Sequence, residues 1–280
     1  MSFKIVLDSC GELTDEMAKS GIYSNVPLTL IVGEREIIDD ETFDQADFLN
    51  AVASTPECPR SACPSPEQYI NAYGYDAERI YGVTLSANLS GSYNSAVLGG
   101  KLHKDLYPAS DVYVFDSKSA SAGETLIAMK IEEYEKAGLT FDEIIKKGEE
   151  YVSSISTIFV LEDLGFLEKN GRLTGLKRIA ANLLNIVPIM AATDQGTIYQ
   201  AGQARGIKKA LAKLIEMVTE DCIKKNSKKL VIAHCNCIDR ALLVKEKLLE
   251  KLPDLKVYIT DTRGVASLYA GNKGIIISFD

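Results

Sequence analysis

The sequence predicts an α/β protein built from two domains. Short β-branched runs alternate with segments of helical periodicity, which is the pattern of strands connected by helices. The chain has 280 residues, a length at which a single hydrophobic core usually gives way to two. After about residue 160 the pattern changes to mixed α and β, and Gly196 indicates a hairpin that brings antiparallel pairing. We therefore expect an α/β domain over residues 1–160 and an α+β domain over residues 161–280.

The predicted strands are short apolar runs rich in β-branched residues. They lie at residues 4–8, 80–85, 112–115, 157–161, 186–191, 197–200, 230–233, 257–260 and 275–279. Helices are indicated between them. Thr140 to Glu143 has capping-box spacing, and residues 206–221 place apolar side chains at helical intervals.

Composition and charge exclude several classes of function. The formal net charge of −8 disfavours binding to nucleic acid or to an anionic membrane surface. No apolar run approaches the length of a membrane span, and the N-terminus passes into a strand without a secretion signal. We therefore expect a cytoplasmic protein without stable membrane insertion.

The cysteines indicate neither a disulfide framework nor a cofactor. There are six, without the density of a disulfide scaffold or the paired spacing of a zinc site. The strongest local group is His234-Cys235-Asn236-Cys237, but alternate residues of an extended segment point to opposite faces. We expect reduced thiols, no metal and no cofactor.

A hydroxyl-rich turn follows the apolar run that ends near Leu85. Residues 89–96 read Leu-Ser-Gly-Ser-Tyr-Asn-Ser-Ala and lead into a helix-like segment. Such a turn can form a binding site for a carboxylate or a phosphate. The donors are the free N–H groups of the first helical turn and the Ser hydroxyls, and Gly permits close approach of the ligand. Plain helix capping explains the same residues equally well.

A second hydroxyl-bearing turn spans residues 61–69. Ser65 is predicted to cap a helix that begins with Pro66, and Glu67 lies in the first turn. The hydroxyl of Ser61 is then free to bind a ligand. An ordinary solvated loop residue is the alternative.

These two turns and several further segments resemble the DegV family of fatty-acid-binding proteins along the whole chain. Residues 61–66 match a segment that the family usually writes Thr-Ser-Gln-Pro-Ser-Pro, and residues 89–93 are close to its Leu-Ser-Gly-Thr-Tyr pattern. The other matching segments are residues 4–9, 26–28, 114–117, 120–123, 164–173 and 183–189. Each match is weak alone, but together and in order they are specific.

The resemblance implies a fold and a function. The N-terminal domain should be a three-layer α/β/α unit with a mostly parallel sheet, and the C-terminal domain should have a mixed sheet and complete a lipid pocket. A long-chain fatty acid such as palmitate, stearate or oleate should bind there, its carboxylate held by Ser61 and Ser90. Ser92 and Asn88 are further lipid-binding candidates.

The resemblance further implies a protein partner. The chain should present the acid to an ATP-dependent fatty acid kinase, which would make the acyl phosphate for phospholipid synthesis. This makes the chain a lipid-binding accessory subunit, with no catalytic residue of its own. A sensor that changes its partner interactions when lipid binds would have the same site chemistry.

The sequence leaves more than one role open for Tyr269 and for Arg172. Family members commonly place a His in a His-x-Gly-Pro-Gly turn near the ligand carboxylate, whereas Tyr269 stands here and the Pro is missing. Tyr donates one hydrogen bond but cannot become cationic near neutral pH, so it either binds the head group or forms pocket wall. Arg172, which matches the Arg of the family's Gly-Arg turn, is a cation near the site, a partner contact or a solvated turn residue.

The acyl slot is predicted between the domains, lined by an apolar segment at residues 166–184. Ordinary helix core explains that segment as well.

The alternative function is a self-sufficient hydrolase or phosphotransferase that uses the Ser90 turn. A hydrolase needs a base, and the chain offers only His103, predicted at a solvated helix end, and His234. The sequence contains no Gly-x-Ser-x-Gly elbow, Walker-type phosphate loop or Gly-x-Gly-x-x-Gly motif.

Overall fold

The computed structural model describes residues 2–173 and 185–280, and its strands form three sheets. The strands are β1 (Phe3–Asp8), β2 (Tyr23–Val26), β3 (Thr29–Val32), β4 (Arg35–Ile38), β5 (Arg60–Ala62), β6 (Arg79–Thr84), β7 (Asp111–Asp116), β8 (Ser156–Val160), β9 (Ile186–Ala192), β10 (Ile198–Arg205), β11 (Lys229–His234), β12 (Lys256–Asp261) and β13 (Ile275–Phe279). The helices are α1 (Asp15–Ser20), α2 (Gln45–Ser54), α3 (Pro66–Tyr73), α4 (Ser92–Leu106), α5 (Ala122–Lys136), α6 (Phe141–Ser154), α7 (Gly165–Lys169), α8 (Ile207–Lys225), α9 (Ile238–Leu249) and α10 (Gly264–Ala270).

The first sheet has four parallel strands in the order β2-β1-β6-β7. Its faces are both covered, because alternate side chains of a strand point to opposite sides. Ile5 and Leu7 of β1 pack with α5 and α6, whereas Val6 packs with α3 and α4. The predicted three-layer α/β/α arrangement with a parallel sheet is confirmed.

The second sheet has six strands in the order β10-β9-β8-β13-β11-β12 and is mixed. β11 runs parallel to β12 and antiparallel to β13. Leu230 and Ile232 of β11 pack with α8 and α9, while Val231 and Ala233 pack with α5. Helix α5 therefore lies between the two large sheets. The parallel and antiparallel pairs of β11 confirm the predicted mixed sheet.

The pairing of β8 is relevant to the boundary between the two predicted domains. It ends at Val160, before the predicted boundary, yet it pairs with β13 and β9 of the second sheet. The two-domain division itself remains a prediction, and this pairing favours a boundary at the end of α6.

A third, three-stranded antiparallel sheet has the order β4-β3-β5. It packs against α2 and α10 around Leu30, Phe48 and Leu268. The sequence did not predict this sheet, because its strands are only three or four residues long. Ser61, predicted in the extended approach to the helix that begins at Pro66, lies on β5 opposite Leu30.

The predicted hairpin is present as β9 and β10, which pair antiparallel. Gly196 has a φ of 73° in the turn, and a Cβ at this position would overlap Ser86 Oγ. β10 extends to Arg205, beyond the predicted end, with an irregularity between Gln200 and Gly202. Within the two described ranges no helix is long and apolar enough to cross a membrane.

The prediction that His103 lies at a solvated helix end is wrong. Its side chain is buried, and its ring packs 4.8 Å from that of Tyr107 and edge-on against Tyr73. Nε2 donates to the carbonyl oxygen of Gly74 at 2.5 Å. These contacts hold the end of α4 against α3.

Candidate functional site

An apolar cavity lies between the two large sheets. Its lining surrounds about 810 Å³ of space not occupied by protein atoms, which includes space open to solvent. Residues that follow the carboxyl ends of β1, β6 and β7 form one side, and residues of β8, β10, α10 and β13 form the other. The apolar part of its lining includes Leu28, Leu85, Phe159, Leu161, Leu167, Ile198, Val265 and Ile276.

One end of this cavity carries the hydroxyls of Ser61 and Tyr269. The two oxygens lie 3.1 Å apart and share one hydrogen bond. Two hydroxyls have two hydrogens, so the bond between them leaves one hydrogen free to donate to a ligand. Tyr269, predicted either as a head-group donor or as pocket wall, thus stands beside a predicted head-group residue.

Ser90 lies on the same cavity wall, at the start of α4. Its Oγ accepts from the backbone N–H of Ser92 at 3.2 Å and lies 3.0 Å from Ser92 Oγ. Gly91 occupies the N-cap position and makes no side-chain cap bond. Ser90 therefore satisfies one free N–H of the helix, and its hydroxyl shares a hydrogen bond with that of Ser92.

The two hydroxyl turns touch each other at Gly91. A Cβ on this glycine would lie 2.9 Å from the Sγ of Cys63, so a larger residue would require the Cys63 side chain to shift. The contact places the Ser61 strand directly against the Ser90 turn. Both predicted head-group serines are thereby held at one cavity.

Arg172 closes the cavity beside Tyr269. Its guanidinium carbon lies 5.3 Å from the centre of the Tyr269 ring, within range of a cation–π contact. Nε donates to the carbonyl oxygen of Leu89 at 3.2 Å, and Nη1 donates to that of Asn170 at 2.7 Å. Arg172 thus ties α7 to the Ser90 turn and brings positive charge to the hydroxyl end.

Two other candidates lie off the cavity wall. Ser92 is completely buried behind Ser90 and hydrogen-bonds the carboxylate of Asp8, which lowers the pKa of Asp8 against the larger effect of burial. Asn88 donates through Nδ2 to the carbonyl oxygen of Gln195 at 2.6 Å. Their positions give Ser92 and Asn88 structural contacts, the latter between the loop after β6 and the hairpin.

Asp39 positions α10 and was missed in the sequence. Its carboxylate accepts from the N–H groups of Gly264 and Val265 at 2.7 and 2.9 Å, and from Ser9 Oγ at 2.8 Å. These bonds fix the helix that carries Tyr269. No local pattern distinguishes Asp39 from Asp40 beside it, because its partners on α10 lie more than 200 residues away in sequence.

A group of buried carboxyls lies next to the cavity. Burial raises the pKa of Asp8 to about 6 and that of Glu12 to about 8. Burial, together with the charge of Asp8, raises the pKa of Glu124 well above its usual range. Ser121 joins this group to the cavity wall, because its Oγ donates to both Glu12 oxygens at 2.9 Å. Potential ligand atoms of Asp8, Cys10 and Glu124 lie within 4.8 Å of one another.

Part of the predicted acyl slot is present in the described residues. Leu167 lines the cavity, and Leu173 packs against the apolar cluster beside it. Residues 174–184, with the other apolar positions of that prediction, lie outside the described residues. Neither of the two histidines lines the cavity.

This arrangement defines an α/β protein with a mainly apolar cavity that carries Ser61, Tyr269 and Arg172 together at one end. The family comparison agrees, because the DegV family of uncharacterised proteins matches residues 2–280. The chain belongs to the DegV family. A DegV domain-containing protein of Streptococcus gordonii is 32% identical over 286 residues, which cover 100% of this chain and 99% of that protein.

Solved structures of similar chains were determined with fatty acids. A DegV family protein from Ruminococcus gnavus, refined with vaccenic acid, is 48% identical, with a TM-score of 0.95 and 99% of each chain covered. A DegV family protein from Eubacterium eligens, loaded with heptadecanoic acid, is 28% identical, with a TM-score of 0.88 and 99% of each chain covered. The Streptococcus pneumoniae Fatty Acid Kinase (Fak) B3 protein, loaded with linoleic acid, is 29% identical, with a TM-score of 0.88 over 100% of this chain and 99% of that one.

Proposed function

We propose that this chain binds a long-chain fatty acid in the cavity between its two large sheets. The observation that carries the proposal is the lining of the cavity, which is mostly apolar and carries the hydroxyls of Ser61, Ser90 and Tyr269. An acyl chain matches the first part and a carboxylate matches the second. The fatty acids bound to structures of similar chains support the same assignment.

The acyl tail supplies most of the affinity in this proposal. Burying about fifteen methylenes at about 0.8 kcal/mol each gives roughly 12 kcal/mol before the costs of association. Each hydroxyl bond to the carboxylate adds about 1.5–3 kcal/mol, which mainly offsets desolvation of the head group. The head group therefore sets the orientation of the ligand, and Arg172 supplies positive charge beside it.

Titration of delipidated protein with palmitate and oleate tests this assignment. We expect saturable binding of one acid per chain, and weak binding of a short acid such as hexanoate, which buries few methylenes. A cavity-filling Ala270→Phe variant should lose binding, whereas Ala53→Phe, at an exposed position of α2, should retain it. Absence of palmitate and oleate binding to the parent protein would overturn the proposal.

We further infer that the chain acts in the cytoplasm as the lipid-binding partner of an ATP-dependent fatty acid kinase. The similarity to the Fak B3 protein supports this role. Both histidines have contacts away from the cavity, His103 with Gly74 and His234 with Cys237 and Asp261, so the geometry favours a carrier over a Ser hydrolase. Arg172 and the Ser90 turn then lie where a partner reaches the carboxylate.

Trapping the acyl phosphate with hydroxylamine tests the kinase role. Oleate, ATP and this chain should give acyl hydroxamate only after the ATP-binding subunit of a fatty acid kinase is added. Hydroxamate formed by this chain and ATP alone would identify an independent phosphotransferase. No product with the kinase subunit present, from a chain that still binds oleate, would reject the partnership.

A further inference from the structure

Three hydroxyl groups form a chain in the cavity wall away from Ser61 and Tyr269. Ser119 Oγ lies 2.7 Å from Thr157 Oγ1, which lies 2.8 Å from Ser278 Oγ. All three side chains are buried, with 4%, 7% and 0% of their surface exposed. Ser119 and Thr157 line the cavity, and Ser278 lies behind them on β13.

The position of this chain of hydroxyls follows from β8. Leu161 just after the strand, Phe159 and Thr157 face the cavity as alternate residues. Leu161 belongs to the apolar cluster that contacts Tyr269, at the hydroxyl end of the site. With a strand rise of about 3.3 Å per residue, Thr157 lies about 13 Å further along the wall. An acyl chain that follows β8 passes Phe159 and then meets Thr157.

Counting hydrogens shows that the three hydroxyls are not fully satisfied by one another. They carry three O–H donors and make two mutual bonds, so one donor remains in every arrangement. A further contact within the described residues runs from Ser119 Oγ to the carbonyl oxygen of Ala120, at 3.5 Å, which is too long for a good O–H···O bond.

The spare donor can be directed into the cavity. If Ser278 donates to Thr157 and Thr157 donates to Ser119, the free hydrogen belongs to Ser119 on the cavity wall. If Ser119 and Ser278 both donate to Thr157, the free hydrogen belongs to Thr157, also on the wall. A buried O–H without an acceptor is unfavourable, so an acceptor in the cavity favours these two arrangements over the third, in which the free hydrogen belongs to Ser278.

We propose that Ser119 and Thr157 form a second polar subsite that binds an oxygen carried on the acyl chain. The ligand class is a long-chain fatty acid with a hydroxyl or keto group in the middle or distal part of the chain. A purely aliphatic chain offers the spare donor no acceptor, whereas a hydroxyl or keto oxygen accepts it. This inference rests on the proposed function and adds a preference among fatty acids.

Competitive titration of delipidated protein tests the subsite. The probes are stearic acid, stearic acid hydroxylated near the middle of the chain, and stearic acid hydroxylated next to the carboxyl group. We expect the mid-chain hydroxy acid to bind about three- to tenfold more tightly than stearic acid, the worth of one net hydrogen bond. The acid hydroxylated next to the carboxyl group should show no such gain.

The variants identify the groups responsible. Ser119→Ala combined with Thr157→Val should remove the preference while stearic acid binding persists, and adding Ser278→Ala gives a second variant without an isolated buried hydroxyl. Thr219→Val removes a buried hydroxyl on α8 that donates to Ile215, outside the cavity wall, and should keep the preference.

A parent protein that binds stearic acid without preferring the mid-chain hydroxy acid overturns the subsite alone. The subsite is also overturned if the preference persists in both variants. A parent protein that binds none of the acids overturns the proposed function as well.

Discussion

Ser61, Ser65 and Ser90 make different kinds of hydrogen bond. Ser65 caps α3 in a capping box with Gln68, as the sequence predicted. The Ser61 hydroxyl bonds only the phenol of Tyr269 among the described residues, and Ser90 accepts an N–H from the first turn of α4 while facing the cavity. The hydroxyl of Ser61 is thus the one with no part in local secondary structure.

Alanine substitutions distinguish the contribution of each serine to fatty-acid binding from its contribution to stability. Ser61→Ala should weaken fatty-acid binding by about 1–3 kcal/mol with little change in stability, because it removes a ligand donor alone. Ser90→Ala should weaken binding similarly and also lower stability slightly, since an N–H of α4 loses its acceptor. Ser65→Ala should cost about 0.5–2 kcal/mol of stability and no affinity. Binding titrations and urea unfolding measure both quantities, and an equal stability loss in all three variants would mark the serines as structural only.

Tyr269 offers a sharper test of head-group recognition. Tyr269→Phe should weaken binding of a fatty acid by about 1 kcal/mol and change binding of the corresponding alcohol little, because a carboxylate is the stronger acceptor. Tyr269→His should restore binding, more strongly below about pH 6.5 where imidazolium forms, provided that the ligand stays ionised. Titrations of acid and alcohol against the three proteins decide the question. If the Tyr269→Phe variant binds both ligands as the parent does, Tyr269 forms pocket wall and the carboxylate relies on the serines.

At the scale of elements, α10 connects the small sheet to the cavity. Its N-terminal N–H groups are bound by Asp39 just after β4, and its residues Val265, Ala266 and Tyr269 line the cavity. A helix of only seven residues has little stability of its own. The position of Tyr269 therefore depends on Asp39.

Asp39→Asn tests that dependence. An amide offers one acceptor oxygen in place of two, and its NH₂ would face N–H donors, so we expect a loss of about 1–3 kcal/mol in stability. Fatty-acid binding should weaken as well, because α10 loses its anchor. Asp40→Asn, which changes the neighbouring carboxylate bonded to Thr42, is the control and should leave binding unchanged. Unaltered affinity in a destabilised Asp39→Asn protein would show that α10 is held by packing alone.

The sequence predicted the elements whose signals are local. The parallel strands, the cap at Ser65 and the hairpin at Gly196 each follow from neighbouring residues, and all are present. The small sheet was missed because very short strands depend on their partners for stability. Ser119, Thr157 and Asp39 were missed for a related reason, since tertiary contacts between distant segments create their roles. The resemblance to a family was needed to select Ser61 from the other serines.

At the scale of the whole molecule, the buried carboxyls make stability depend on pH. Burial raises the pKa of Glu12 from its usual value near 4.5 to about 8, so the folded state holds a proton that the unfolded state releases. The contribution of Glu12 to stability is therefore fully present below about pH 4.5 and is lost as pH rises towards about 8.

Glu12→Gln removes that contribution while an amide oxygen still accepts from Ser121. The variant should be more stable than the parent at pH 8 and similar at pH 5, with a difference that grows by about 1 kcal/mol per pH unit between them. Urea unfolding at both pH values gives the comparison, with Glu34→Gln at an exposed turn as the control. A constant difference between parent and Glu12→Gln across this range would show that Glu12 does not carry the pH dependence.

The central claim is that the cavity between the sheets holds a long-chain fatty acid, and native mass spectrometry of the purified chain tests it most directly. We predict a species heavier than the protein by the mass of one long-chain fatty acid, and organic extraction should release that acid in a one-to-one ratio. The cavity-filling Ala270→Phe protein should lack this species. A parent protein that carries no fatty acid, and takes up neither palmitate nor oleate when they are added, would contradict the account.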